Sequence, residues 1–256
     1  MRDLQSERDL RGIGLNRVGV RGIKRPMEVL SMEGPALHTV GRFCAFTDLP
    51  PDVRGSHMSR IAQLVLQWDG RVPCPSSARE LLSSLSSSLG ASASEAEVRF
   101  PFFVPKASPV TRIPCPLEVR CRVLASLRGE DLSFRLAVKV PVKTLCPCSR
   151  EISSFGAHNQ RAHVTIEVGS RRMIWIEELV AVAEENASSP VYPVLKRQDE
   201  RFVTEGAYMR PRFVEDLARD CAARLLEDPR VESLRVRVVS HESIHDHDAV
   251  AEVIRP

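Results

Sequence analysis

Apolar and β-branched residues come in short runs over 18–30 and 39–46, a pattern that predicts strands. The period changes after the proline-marked stretch 48–60, DLPPDVRGSHMSR, where Ile61, Leu64, Val65 and Trp68 fall at helical spacing. Ser76 and Ser77 are candidate caps for a second helix through Ala78, Leu81, Leu82 and Leu85, with a low-complexity linker as the rival reading of the serines that follow. Residues 97–104, 117–127 and 132–142 return to strand patterning, the last two joined by a turn at 128–131. Up to residue 127 the first half therefore reads strand, strand, helix, helix, strand, strand, and 132–142 follows as one more strand.

The second half repeats that order. Residues 163–168 alternate as a strand, and 174–186 form an amphipathic helix with Trp175, Leu179, Val182 and Ala183 on one side. Residues 187–205 read as a polar loop broken by prolines. Pro211 stands where a first helical residue would, and Phe213, Leu217, Cys221 and Leu225 make an apolar stripe that stops at Asp228-Pro229. Two strands, 231–239 and 248–254, close the chain. No identity between the halves is visible, so the repeat concerns element order alone. The expected organisation is a mobile arm over 1–15, a first module over 16–150 and a second over 151–256.

Composition narrows the function classes. With 256 residues, 43% of them hydrophobic, the chain can bury a substantial core. A net charge of +3, with no basic block interleaved with aromatics, argues against nucleic acid as partner. The charged opening MRDLQSERDLRG is unlike a signal peptide, and no apolar run is long enough to cross a bilayer, so a cytoplasmic location away from membranes is expected. Seven scattered cysteines, an odd number, read as reduced thiols.

The richest chemistry lies in 145–161, LCPCSREISSFGAHNQR. On an extended backbone Cys146 and Cys148 share a face at a strand end, and a turn at Gly156 brings His158 back toward them. Thiolate and imidazole suit a divalent metal such as Zn²⁺, and Cys146 and His158 fit two ligand places; a buried thiol beside a surface histidine is the competing account. In 241–248, HESIHDHD, three histidines and three carboxylates crowd eight residues, enough to move protons near neutral pH. His38 and His163 sit in apolar strand patterns and read as packing residues. Within KRQDE, Lys196 and Arg197 suit phosphate oxygens and Glu200 suits a metal shell, against the plainer reading of a solvated loop. Glu215 opens a helix, where it meets the helix dipole, and its carboxylate also matches the guanine edge. Arg54, His57 and Arg60 form a polar patch suited to anions.

LCPCSREISSFGAHNQRAHV, ASSPVYPVLKRQDERFVTE, PRFVEDLARD and HESIHDHDA, with DLPPDVRGSHMSR upstream, together resemble the type IB GTP cyclohydrolases of bacteria and archaea, from about residue 18 to the C-terminus. The resemblance implies an α+β fold of two tandem tunnelling-fold (ββααββ) modules, antiparallel sheets with helices on one face, in a homo-oligomer with a tetramer favoured. It implies conversion of GTP and water to formate and 7,8-dihydroneopterin triphosphate, the entry to folate-type pterins. It further implies one divalent metal per site (Zn, Mn or Fe) on Cys146, His158 and Glu200, with Cys148 close by and which sulfur binds left open. Glu242, His245 and His247 then handle protons and Glu215 anchors guanine; Lys196, Arg197, Arg54, His57 and Arg60 are assigned to the triphosphate. Two other readings remain beside it: the tunnelling-fold, NADPH-dependent nitrile reductase of queuosine synthesis, and a non-enzymatic thiol and imidazole metal-binding protein.

Overall fold

The structure, a computed structural model, describes Gln5 and residues 7–256. Of the arm expected over 1–15, residues 1–4 and 6 lie outside the described residues. The elements are β1 (Leu15–Val29), β2 (Leu37–Leu49), α1 (Met58–Gln67), α2 (Pro75–Leu89), β3 (Ala93–Val104), β4 (Leu117–Arg128), β5 (Asp131–Leu145), α3 (Pro147–Ile152), β6 (Asn159–Gly169), α4 (Ile176–Asn186), β7 (Ser189–Pro190), α5 (Arg197–Met209), α6 (Val214–Leu226), β8 (Ser233–His241) and β9 (Asp248–Arg255). The order of two strands, two helices and two strands is met in β1β2α1α2β3β4 and again in β5β6α4α6β8β9. The α3, β7 and α5 elements are additions to it.

The chain forms two compact units, and β3, β4 and β5 contribute residues to both. In the first, strands follow the hydrogen-bonded order β1-β2-β3-β4-β5, with β1/β2 and β2/β3 antiparallel. Gly22 sits at the register shift between Arg21 and Ile23 with φ +87°, a backbone state that suits a bulge and resists a side chain. Helices α1 and α2 bury Ile61 and Val65, and Leu81, Leu82 and Leu85. Helix α2 runs through the serine cluster, so the linker reading is corrected: the leucines bury one face while Ser84 and Ser87 donate back to the carbonyls of Glu80 and Ser84. Its N-cap is Cys74, with Pro75 in the first turn, rather than Ser76 or Ser77.

In the second unit, β6 pairs with β8 and β8 with β9, both antiparallel, and β7 pairs with β5. Period-two alternation sends Ala162, Val164, Ile166, Val236 and Val238 into a core closed by Leu179, Val180 and Ala183 of α4 and Leu217, Cys221 and Leu225 of α6. Each large aliphatic side chain buried there contributes about 1.5–3 kcal/mol. The opposite face of the same strands carries Arg161, His163, Arg235 and Arg237. His163 is thus corrected from a packing residue to a polar-face residue, half-buried rather than in the core, and His38 is exposed. No helix among the described residues is long and apolar enough to cross a membrane.

Two helix boundaries also differ from expectation. Residues 197–205 are helical, not loop, because buried Asp199 caps α5: its carboxylate accepts from Lys196 N at 2.9 Å. Helix α6 starts at Val214, since Asp216 Oδ2 takes the Phe213 N–H at 3.1 Å and makes Phe213 the cap; Pro211 lies before it.

Candidate functional site

The β5 strand ends at Leu145, and Pro147 starts α3. Proline is favoured at a first helical position because its missing N–H has no intrahelical partner to lose. The extended Cys146–Cys148 arrangement is therefore corrected: Cys146 is the N-cap, at φ −68° and ψ 119°, and Cys148 lies exposed in the first turn. Cys146 Sγ accepts from Ser149 N at 3.4 Å. Gly156, at φ +101°, turns the chain, and Cys146 N then donates to the His158 carbonyl at 3.1 Å while His158 N donates to Ser149 Oγ at 3.2 Å. The thiol-bearing and imidazole-bearing residues are thus joined through their backbones, as the turn at Gly156 anticipates.

His158 Nδ1 lies 3.0 Å from Gln160 Oε1, and Gln160 Nε2 donates to Glu242 Oε1 at 3.2 Å and to Thr144 Oγ1 at 3.4 Å. Glu242 Oε2 stands 3.9 Å from His158 Nδ1, with both side chains little exposed, at 11% and 14%. With Gln160 so oriented, Nδ1 carries the imidazole proton and Nε2 presents its lone pair. Sequence reasoning left Gln160 as a turn residue. Its signal was available: it falls on the same strand face as buried Ala162 and Val164, where a polar side chain requires partners.

Glu242 follows β8 and reaches this network, and Ser243 Oγ donates to Gln160 Oε1 at 3.5 Å; His245 and His247 lie apart from it. His245 and His247 stack on each other at a ring separation of 5.2 Å, both exposed, and His247 Nδ1 lies 3.3 Å from Asp246 Oδ1. The segment between β8 and β9 is bent rather than extended, so the rings meet by stacking and not by strand alternation.

Asp199 is wholly buried and also accepts from Val110 N, Thr111 N and Thr111 Oγ1 at 2.8, 2.9 and 2.6 Å. Burial pushes its pKa up, but these bonds, with Thr111 foremost, outweigh that and hold the carboxyl well below the usual range. The start of α5 is thereby fixed, and Lys196, Arg197 and Glu200 project from it exposed. Glu215 is exposed in the opening turn of α6. Among the described residues of one chain, no group of three His, Cys, Asp or Glu side chains is arranged to hold a metal ion. In the first unit, Arg54 Nη1 pairs with Glu7 Oε2 at 2.5 Å, His57 caps α1 in the left-handed region with its N–H on Gln5 Oε1, and Arg60 donates to the Ser88 carbonyl at 2.9 Å.

The family described as type I GTP cyclohydrolase folE2 matches residues 1–251. The chain belongs to that family. "GTP cyclohydrolase FolE2" of Thermotoga maritima is 47% identical over 251 residues, covering 98% of this chain and 96% of that protein. The protein of the same name from Pseudothermotoga lettingae is 44% identical over 255 residues, covering 100% and 98%. Among solved structures, uricase from Arthrobacter globiformis superposes with a TM-score of 0.56 at 7% identity, covering 95% of this chain and 94% of that one. That likeness concerns the fold alone, an α+β tunnelling fold. Membership in the FolE2 family sets aside the nitrile reductase and the non-enzymatic metal-binding readings.

Proposed function

We propose that the chain converts GTP and water to formate and 7,8-dihydroneopterin triphosphate, the first step toward folate-type pterins. The observation that carries this reading is the backbone junction of Cys146 with His158, set against the Gln160–Glu242 pair. A soft sulfur and an imidazole Nε2 with no hydrogen-bond partner among the described residues form a donor pair suited to a divalent d-block ion, Zn²⁺, Mn²⁺ or Fe²⁺. Cys146 and His158 would hold it, with Glu200 as the proposed third ligand. Bound there, it would supply Lewis acidity toward water and the guanine ring.

The protein's own groups do the rest. Gln160 keeps the His158 proton on Nδ1, so that Nε2 faces the ligand position. The Glu242 carboxylate, held by Gln160, takes the proton of the attacking water, while the His245 and His247 pair delivers a proton to guanine N7, which makes C8 electrophilic. The exposed pair His245 and His247 carries protons between this carboxylate and solvent during ribose opening and ring closure. Glu215 accepts from guanine N1–H and the 2-amino group. Lys196 and Arg197 are assigned to the triphosphate, as are Arg54, His57 and Arg60, which reach it in a homo-oligomer, a tetramer by preference. Cys148 lies one residue past Pro147 and is assigned to the same catalytic pocket. The protein is placed in the cytoplasm, where reduced thiols and GTP coexist.

The test is to chelate the protein, add back single divalent metals, and follow formate and pterin fluorescence from GTP. Cys146→Ala and His158→Ala abolish turnover with every metal. Glu215→Ala raises KM for GTP by about 10–100-fold with a smaller effect on kcat, as expected for loss of a charged hydrogen-bond pair. Parental activity in Cys146→Ala would refute the site.

A further inference from the structure

On the polar face of the second unit's strands lies a cavity of about 320 Å³ lined by Glu118, Arg120, Lys139, Pro141 and His163. Its volume is at the lower end of small-molecule sites. The alternation that buries Val119, Cys121, Val138 and Val140 turns Arg120 and Lys139 outward on this face, and Arg161 and His163 follow the same rule on β6. Gln160, on the other parity, faces away with Ala162 and Val164. The cavity is therefore on the opposite side of the strands from the Cys146–His158 network.

The charges around it are poorly compensated. Arg120 meets Glu118 only at 3.9 Å, through side chains 81% and 51% exposed, where an ion pair is worth little. Lys139 and Arg161 have no carboxylate partner among the described residues. His163 Nδ1 is 3.2 Å from His241 Nε2, and His241 Nδ1 is 3.1 Å from Asp248 Oδ1, so the Asp248 carboxylate is already engaged.

We propose that this cavity is a binding site for a small phosphate-bearing anion, held by Arg120 and Lys139 with Arg161 at its edge and His163 as a hydrogen-bond partner. Two features favour a small anion over nucleic acid: Arg120, Lys139 and His163 meet in one concavity of small-molecule size, and the lining holds no Phe, Tyr or Trp ring on which a base could stack. The state of His163 is consistent with a positive field awaiting an anion. Burial first, then Lys139, His241, Arg161 and Arg120, push its pKa down to about 4.

Inorganic pyrophosphate serves as the probe, titrated into the full-length protein by calorimetry, with the ring resonances of His163 followed across pH by NMR. Saturable binding is expected, with the His163 pKa rising as the anion offsets the surrounding cations. Arg120→Gln and Lys139→Gln each weaken it by about tenfold or more, the loss of one charge-assisted contact. Binding is unaltered in Lys196→Gln and Arg197→Gln, which separates this site from the residues assigned to the GTP triphosphate. The proposal is overturned if pyrophosphate does not bind, if it binds equally well to Arg120→Gln and Lys139→Gln, or if Lys196→Gln or Arg197→Gln abolishes binding. It is equally overturned if those charge removals change the oligomeric state instead, because an acidic segment of a second copy would then be the occupant.

Discussion

Gln160 shows how one side chain can decide the use of another. Its amide fixes both the His158 tautomer and the Glu242 carboxylate, so Gln160→Ala should lower metal affinity and turnover by about 10–100-fold, in the range of lost outer-sphere partners. Metal titration against a competing chelator measures this directly; unaltered affinity would remove Gln160 from its assigned role. His163 makes a second prediction, in pH. Its folded pKa lies near 4 and its ordinary value is 6.5, so between the two the unfolded chain binds the extra proton. Its contribution is thus fully present above pH 6.5 and is lost as pH falls toward 4. The fall in thermal midpoint from pH 7 to pH 4.5 should be smaller in His163→Gln than in the parent protein. The sequence showed both residues yet neither role: Gln160 sat in a polar run that reads as turn, and His163 in a strand whose two faces only the register distinguishes.

Elements were most legible where apolar residues set the period. Of the stripe read at Phe213, Leu217, Cys221 and Leu225, the last three are buried as their spacing requires while Phe213, the cap, is exposed, and burial pushes the Cys221 thiol up to about 12, which makes it packing rather than chemistry. Leu217→Ala should cost about 2–5 kcal/mol through the cavity it leaves, read as a lowered urea midpoint. Helix α5 was illegible for the converse reason. Only Asp199 and Ala207 of its residues are buried, so no stripe marks it, and what organises its start is a carboxylate bonded to the 110–111 segment about 90 residues away. Such a contact has no local signature. The α3 helix misled through Pro147, which reads as a strand terminator and serves here as a helix initiator.

At the scale of the whole molecule, the ordered motifs carried further than any pattern of hydrophobicity. Five separated segments resemble the type IB GTP cyclohydrolases, and the match over residues 1–251 is to the type I GTP cyclohydrolase folE2 family. The two strand–helix–strand repeats were visible as element order, and the uricase likeness at 7% identity shows how little sequence that architecture demands. Oligomeric state left no comparable trace, because any contact between copies would follow from surfaces that no periodicity marks. The bond from Cys146 N to the His158 carbonyl holds two of the proposed donors at one backbone spacing before any ion arrives. No third His, Cys, Asp or Glu side chain among the described residues of one chain joins them, so under the proposed function the empty protein is a half-built cup, and loading would have to bring the last donor in.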